Sequence, residues 1–278
     1  MKTSLFFSLF LLLLSIFSKA QMDDKFYQPK KEMQPLEFKN IENVSLLVES
    51  DTITAVILKP ESKSIKKTIL FFHGAGGNIS TYQYITKPLV ENGFQVVMID
   101  LRGYGKSTGK PTHLNIAEDG QKMFDYLLRR KYIQDTKIYL YGASLGSQVA
   151  THLAKENQSK ISGLIIDGGM SSFTDIAIHF APQYKEMISS MLISPYSAKE
   201  DVKALKGLPK LFIYSKGDST IPFEQGQLVY DNAPEPKQFI EFSGEHIQAM
   251  VVDKSRIVAV IDRLKKKETF IGFLFLYN

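Results

Sequence analysis

Cysteine is absent from the 278 residues. That excludes a disulfide framework, a thiolate nucleophile, Cys-ligated zinc and a lipid-modified cysteine. It does not set the compartment, because a domain of this size folds without covalent staples. A strong charge of one sign is also missing: 34 Lys and Arg face 29 Asp and Glu, a formal +5. Lys2 and Lys19 supply two of those charges, so residues beyond 20 carry 32 basic side chains, a surplus of only +3. No nucleic-acid partner is expected from it. The one basic triplet, Lys265-Lys266-Lys267, closes an expected helix, where cations suit the helix dipole. Histidines and carboxylates lack metal-ligand spacing such as His-x-x-x-His, so neither a metal nor a cofactor is expected.

The apolar stretch from Leu5 to Phe17 is broken only by serines. It falls short of the ~20 residues that a spanning helix needs. Lys2 precedes it, and Ser18 and Ala20 follow at the positions a signal peptidase reads. The pattern predicts a cleavable signal peptide over residues 1–20 and a secreted or periplasmic mature chain starting at Gln21. The competing reading is an uncleaved anchor.

Hydrophobic residues make up 44% of the chain, enough for one continuous core. Residues 21–40 are polar, contain Pro29 and Pro35, and predict a lead-in with little regular structure. Beyond them, strand-like apolar runs alternate with segments of helical period. Residues 44–49 and 52–58 predict a hairpin around Ser50-Asp51. Six further strands are expected at 68–72, 95–100, 137–141, 163–167, 210–215 and 237–242. Most are near-continuous apolar runs, as in parallel strands covered on both faces. Helices are expected at 80–92, from a capping box at Asn115-Ile116-Ala117-Glu118 to about 131, and at 144–156, 222–232 and 247–267. The alternation describes an α/β fold: a doubly wound, mostly parallel eight-stranded sheet over about 41–268. Residues 168–209 are too many for a simple crossover and predict a small helical cap.

Gly142-Ala143-Ser144-Leu145-Gly146 fits Gly-x-Ser-x-Gly between a strand and a helix. A serine on that turn projects its hydroxyl above the sheet, and the flanking glycines let backbone approach closely. Ser144 is the candidate nucleophile. His73-Gly74-Ala75-Gly76-Gly77-Asn78 follows the third strand. The amides of Ala75 and Leu145 are the candidate oxyanion donors. An acid and a base are expected later in the chain, in that order, at strand C-termini. Asp218 and His246 satisfy this, with Asp167 and Glu245 as rival acids. His73 reads as a structural hydrogen-bonder, His113 and His152 fit no catalytic position, and His179 falls in the cap.

These motifs, with Asp100-Leu101-Arg102-Gly103-Tyr104-Gly105-Lys106-Ser107 and Gly244-Glu245-His246, resemble the α/β-hydrolase superfamily from about Val44 to Lys267. Within it they are similar to the serine-aminopeptidase-like and monoacylglycerol-lipase-like branch with a short cap. The resemblance implies a serine hydrolase with the triad Ser144, Asp218 and His246, acting on a small-molecule or lipid-like ester. A peptidase is the alternative, needing acids such as Glu186, Glu200 or Asp201 for an α-ammonium group. A non-catalytic binding protein is a third reading. Two features depart from the family: Glu245 stands where glycine is common, and residues 269–278 form an apolar tail. That tail leaves open packing on the domain, an added strand, or contact with a membrane surface or partner.

Overall fold

The computed structural model describes residues 23–62 and 64–264. The expected signal peptide, the lysine triplet and the apolar tail lie outside these residues.

Among the described residues, the chain begins with a 3-10 turn at Asp24–Phe26 and a two-residue strand β1 (Gln28–Pro29). The hairpin follows as β2 (Ile41–Val48) and β3 (Asp51–Leu58). Its register pairs Val48 with Asp51, so the turn is Glu49-Ser50, one residue earlier than expected, with Glu49 at φ +55°. Then come β4 (Lys67–Phe72), β5 (Gly76–Gly77), α1 (Gln83–Glu91) and β6 (Gln95–Asp100). A 3-10 turn at Ile79–Tyr82, capped by Asn78, replaces the expected first turn of α1. The next helix, α2 (His113–Leu127), starts earlier than its expected capping box. Thr112 accepts the Asn115 amide at 3.2 Å, and the Asn115 side chain accepts the Thr112 amide at 2.7 Å. Asn115 is therefore the third residue of the helix, and Thr112 is its cap.

After α3 (Lys131–Gln134) come β7 (Lys137–Ala143), α4 (Gly146–Glu156) and β8 (Gly163–Asp167). Residues 168–209 carry α5 (Phe173–Phe180), α6 (Lys185–Met191), α7 (Ala198–Asp201) and two 3-10 turns. The described residues close with β9 (Lys210–Ser215), α8 (Phe223–Asn232), β10 (Lys237–Phe242) and α9 (Ala249–Arg263). The last helix starts two residues after the expected position and kinks at Asp253, whose φ is −149°.

The large sheet runs β2-β3-β6-β4-β7-β8-β9-β10, with β2 and β3 antiparallel to their neighbours and the rest parallel. Strand alternation splits the core between its faces. Leu70, Phe72, Leu140 and Val149 join one buried cluster; Ile69, Phe71, Tyr141 and Ile257 join the other. Each such side chain, fully buried, contributes about 1.5–3 kcal/mol. The chain leaves β4 toward β6 and returns on the other side at β7, so the loops after β4 and β7 meet where the winding reverses. Open α/β sheets form their clefts at such switch points.

Candidate active site

Ser144 sits at the turn from β7 into α4 with φ +53°, in the left-handed region that a non-glycine residue enters at a cost. Two glycines make the turn fit. A Cβ on Gly142 would stand 2.6 Å from the Gly146 carbonyl oxygen, and one on Gly146 would stand 2.6 Å from the His73 carbonyl oxygen. The Ser144 amide donates to the Asp167 carbonyl at 2.8 Å, which fastens the turn to the end of β8.

Asp218 and His246 come from the loops after β9 and β10. Asp218 Oδ1 accepts the amides of Thr220 and Ile221 at 2.9 and 2.8 Å, leaving Oδ2 to bind His246 Nδ1 at 2.6 Å. An ionised carboxylate only accepts, so the ring carries its hydrogen on Nδ1 and presents a lone pair at Nε2. Nε2 is buried and has no hydrogen-bond partner among the described residues, Ser144 included. The next residue, Ile247, is also left-handed at φ +51°, a rare state for a β-branched side chain. Of the rival acids, Glu245 is exposed, and Asp167 binds the Tyr141 hydroxyl at 2.6 Å rather than the imidazole.

The loop after β4 packs directly on the serine: a Cβ on Gly74 would stand 3.1 Å from Ser144 Cβ. His73 is fully buried, and that burial lowers its proton affinity. Its Nε2 accepts the Leu101 amide at 3.1 Å, so Nδ1 carries the hydrogen and donates to the Gly74 carbonyl at 2.8 Å. That carbonyl and the Ala75 amide belong to one peptide plane, so the histidine sets the direction of the Ala75 N–H. The following plane is held through the Ala75 carbonyl, which accepts the Tyr104 hydroxyl at 2.6 Å and the Gln28 amide at 2.9 Å. Neither the Ala75 nor the Leu145 amide has a hydrogen-bond acceptor among the described residues. Asp100 steadies the far end of the loop by accepting the Ile79 amide at 3.0 Å, and Arg102 grips buried Asp119 through two bonds of 2.9 and 2.7 Å.

Sequence reasoning missed the strap that crosses this loop. Residues 27–34 carry little regular structure, yet β1 pairs with β5, Lys30 donates its amide to the Gly77 carbonyl, and Asn78 Nδ2 donates to the Lys30 and Glu32 carbonyls. It missed Tyr141 too, whose one signal is a second tyrosine in the strand before the serine turn. The other histidines lie elsewhere. His113 is buried against Phe173 and bonds Tyr27, with burial pushing its proton affinity down to about 3. His152 bonds Asp201 at 2.8 Å, and His179 is exposed. Of the acids considered for an ammonium site, Asp201 pairs with His152 and Lys155, Glu200 pairs with Lys203, and Glu186 is exposed.

A family profile described as "alpha/beta hydrolase fold" matches residues 67–203. Protein bem46 of Schizosaccharomyces pombe is 32% identical over 176 residues, 63% of this chain and 59% of that protein. The uncharacterized protein YfhR of Escherichia coli K12 is 30% identical over 184 residues, 66% of this chain and 63% of that one. The chain thus matches less than two thirds of the length of either relative. Among solved structures, an alpha-beta hydrolase from Vibrio vulnificus superposes with a TM-score of 0.70 at 21% identity, covering 91% of this chain and 92% of that one. An esterase from Pyrococcus furiosus does so with a TM-score of 0.68 at 17% identity, covering 85% and 99%. By its profile match over residues 67–203, its sheet order and its structural neighbours, the chain has the α/β-hydrolase fold.

Proposed function

We propose that the protein is a serine hydrolase that cleaves carboxylic esters through an acyl-enzyme on Ser144. The observation that carries this reading is the Asp218–His246 pair: Nδ1 is anchored at 2.6 Å, and Nε2 is buried without a partner. In the reaction, Nε2 takes the Ser144 proton while Oγ bonds to the ester carbonyl carbon. Negative charge forms on the carbonyl oxygen, where the Ala75 and Leu145 amides are its donors. One such donor contributes a factor of about 10²–10³ in turnover. The imidazolium returns its proton to the leaving alkoxide, which departs as the alcohol. Water then repeats the cycle, giving its proton to Nε2 and its oxygen to the acyl carbon. Collapse frees the acid and restores the serine hydroxyl.

An ester is favoured over a peptide with a free amino terminus because Glu200 and Asp201 are engaged by cations of the chain itself and Glu186 is exposed. The esterase named among the structural neighbours agrees with that choice. A fluorophosphonate probe with peptide mapping tests the reading. Label on Ser144, lost in Ser144→Ala, is the expected result. Label on another serine, or none on a preparation that hydrolyses p-nitrophenyl esters, overturns it. A folded chain that binds esters without turning them over is instead the non-catalytic protein. Residues 1–20 support export with cleavage after Ala20, which N-terminal sequencing from the native host tests.

A further inference from the structure

A buried carboxyl that this reaction does not use lies beside the Asp218–His246 pair. Asp167 ends β8 and has no exposed surface. Its Oδ2 accepts the Tyr141 hydroxyl at 2.6 Å, and its Oδ1 is buried without a partner among the described residues. Its carbonyl holds the Ser144 amide at 2.8 Å. The following residue abuts the base: a Cβ on Gly168 would stand 3.0 Å from His246 Cε1 and 3.1 Å from Nδ1. One neighbourhood therefore holds this buried carboxyl, the serine backbone and the imidazole, whose side chain is 17% exposed.

We propose that Asp167 is a positioning residue for His246, supplying a second negative charge that stabilises the imidazolium formed when Ser144 loses its proton. The inference rests on the Ser144–His246 reading above. Charges buried or partly buried interact more strongly than in bulk water and are screened less by salt. The titratable groups facing Asp167 are Tyr84 on α1, Tyr141 on β7, Tyr214 on β9, Asp218 after β9 and His246 after β10. Burial holds all three phenols neutral, far above their ordinary range. Among these groups, His246 alone becomes positive, and Asp218 is already committed to it. Burial, with a smaller push from the Asp218 charge, outweighs the Tyr141 hydroxyl and the histidine charge and leaves the Asp167 carboxyl at about 6. The charge is therefore present near neutral pH and lost in mild acid.

The test follows the His246 ring proton by NMR through a pH titration, alongside the pH–rate profile on a p-nitrophenyl ester. Wild type, Asp167→Asn, Tyr141→Phe and Ser144→Ala are compared. Asp167→Asn is expected to lower the His246 midpoint and the acid limb of the profile by about one pH unit, and the plateau rate about tenfold. Tyr141→Phe, which keeps the carboxyl but removes its donor, is expected to move both in the same direction by less. Tyr141→Phe also serves if Asp167→Asn does not fold. Midpoints that stay put while rates fall would mean a structural role, and would overturn the inference alone. Hydrolysis that survives Ser144→Ala overturns the functional reading instead, and the NMR midpoints still decide whether Asp167 acts on His246.

Discussion

The Ser144 amide donates to the Asp167 carbonyl at 2.8 Å and so helps to hold a serine at φ +53°. A left-handed non-glycine residue costs about 1–3 kcal/mol. The surroundings over-determine it, since Gly142 and Gly146 leave no room for another turn. Ser144→Gly is therefore expected to stabilise the fold by about 1 kcal/mol, part of the relief being offset by the flexibility of glycine in the unfolded chain. Ser144→Ala keeps the strain and should stay near wild type. Both variants lose turnover. Urea unfolding of the three proteins checks this, and a glycine variant no more stable than the alanine variant places the strain elsewhere.

Asp218→Asn separates the acid's two jobs. Asparagine Oδ1 can keep the bonds to the Thr220 and Ile221 amides, so the loop should hold its shape. Its NH₂ cannot accept the Nδ1 hydrogen, which favours the wrong tautomer of His246. Turnover is expected to fall by about 10³–10⁴ with little change in stability. Steady-state kinetics with a thermal melt decides the matter. The same loss in Asp167→Asn, and not in Asp218→Asn, would transfer the acid's role to Asp167.

The strands were legible because both faces of the sheet are covered, which makes β6, β8 and β9 almost unbroken apolar runs. Ends were less so. The true cap of α2 is Thr112, but Asn115 and Glu118 offered a plausible box one turn later. Ser144, Asp218 and His246 could be put forward as candidates because each lies at or in the loop after a strand end, and position along an α/β chain is written in its order. The strap was not legible. Its bonds run from the backbone of Gln28, Lys30 and Glu32, and backbone pairing leaves no mark on side-chain pattern. The Tyr141–Asp167 bond was hidden for a related reason: it joins neighbouring strands, and its partners stand 26 positions apart in the chain.

The strap itself can be tested through Asn78. Its Nδ2 donates to the Lys30 and Glu32 carbonyls at 3.0 and 2.7 Å, and its Oδ1 caps the turn at Ser80. Asn78→Ala removes both strap bonds and the cap, although the Lys30 carbonyl keeps the Gly105 amide, and should cost about 1–2 kcal/mol. Amide exchange should rise at Gln28 and Lys30, which bond the Ala75 and Gly77 carbonyls. Because the Ala75 peptide is part of the proposed oxyanion site, kcat should fall severalfold while KM changes little. An unchanged kcat with faster exchange would show that the loop keeps its shape without the strap.

Asp167 also makes a prediction about stability. Burial raises its folded value from 3.8 to about 6, so between those pH values the native state binds more protons here than the unfolded chain. Stability from this group is present below pH ~4 and falls as pH rises through about 6, after which the penalty is constant. The full shift corresponds to a penalty on the order of 3 kcal/mol, as one pKa unit is about 1.4 kcal/mol. Asp167→Asn removes the titration while retaining an amide oxygen for the Tyr141 hydroxyl. The variant is therefore expected to be more stable than wild type at pH 8 by about 1–3 kcal/mol, with the advantage shrinking steadily toward pH 4. Urea unfolding at intervals across that range measures the difference directly. An advantage that stays constant with pH would come from packing, and one that grows toward acid would mean that Asp167 ionises more readily in the fold than in the unfolded chain.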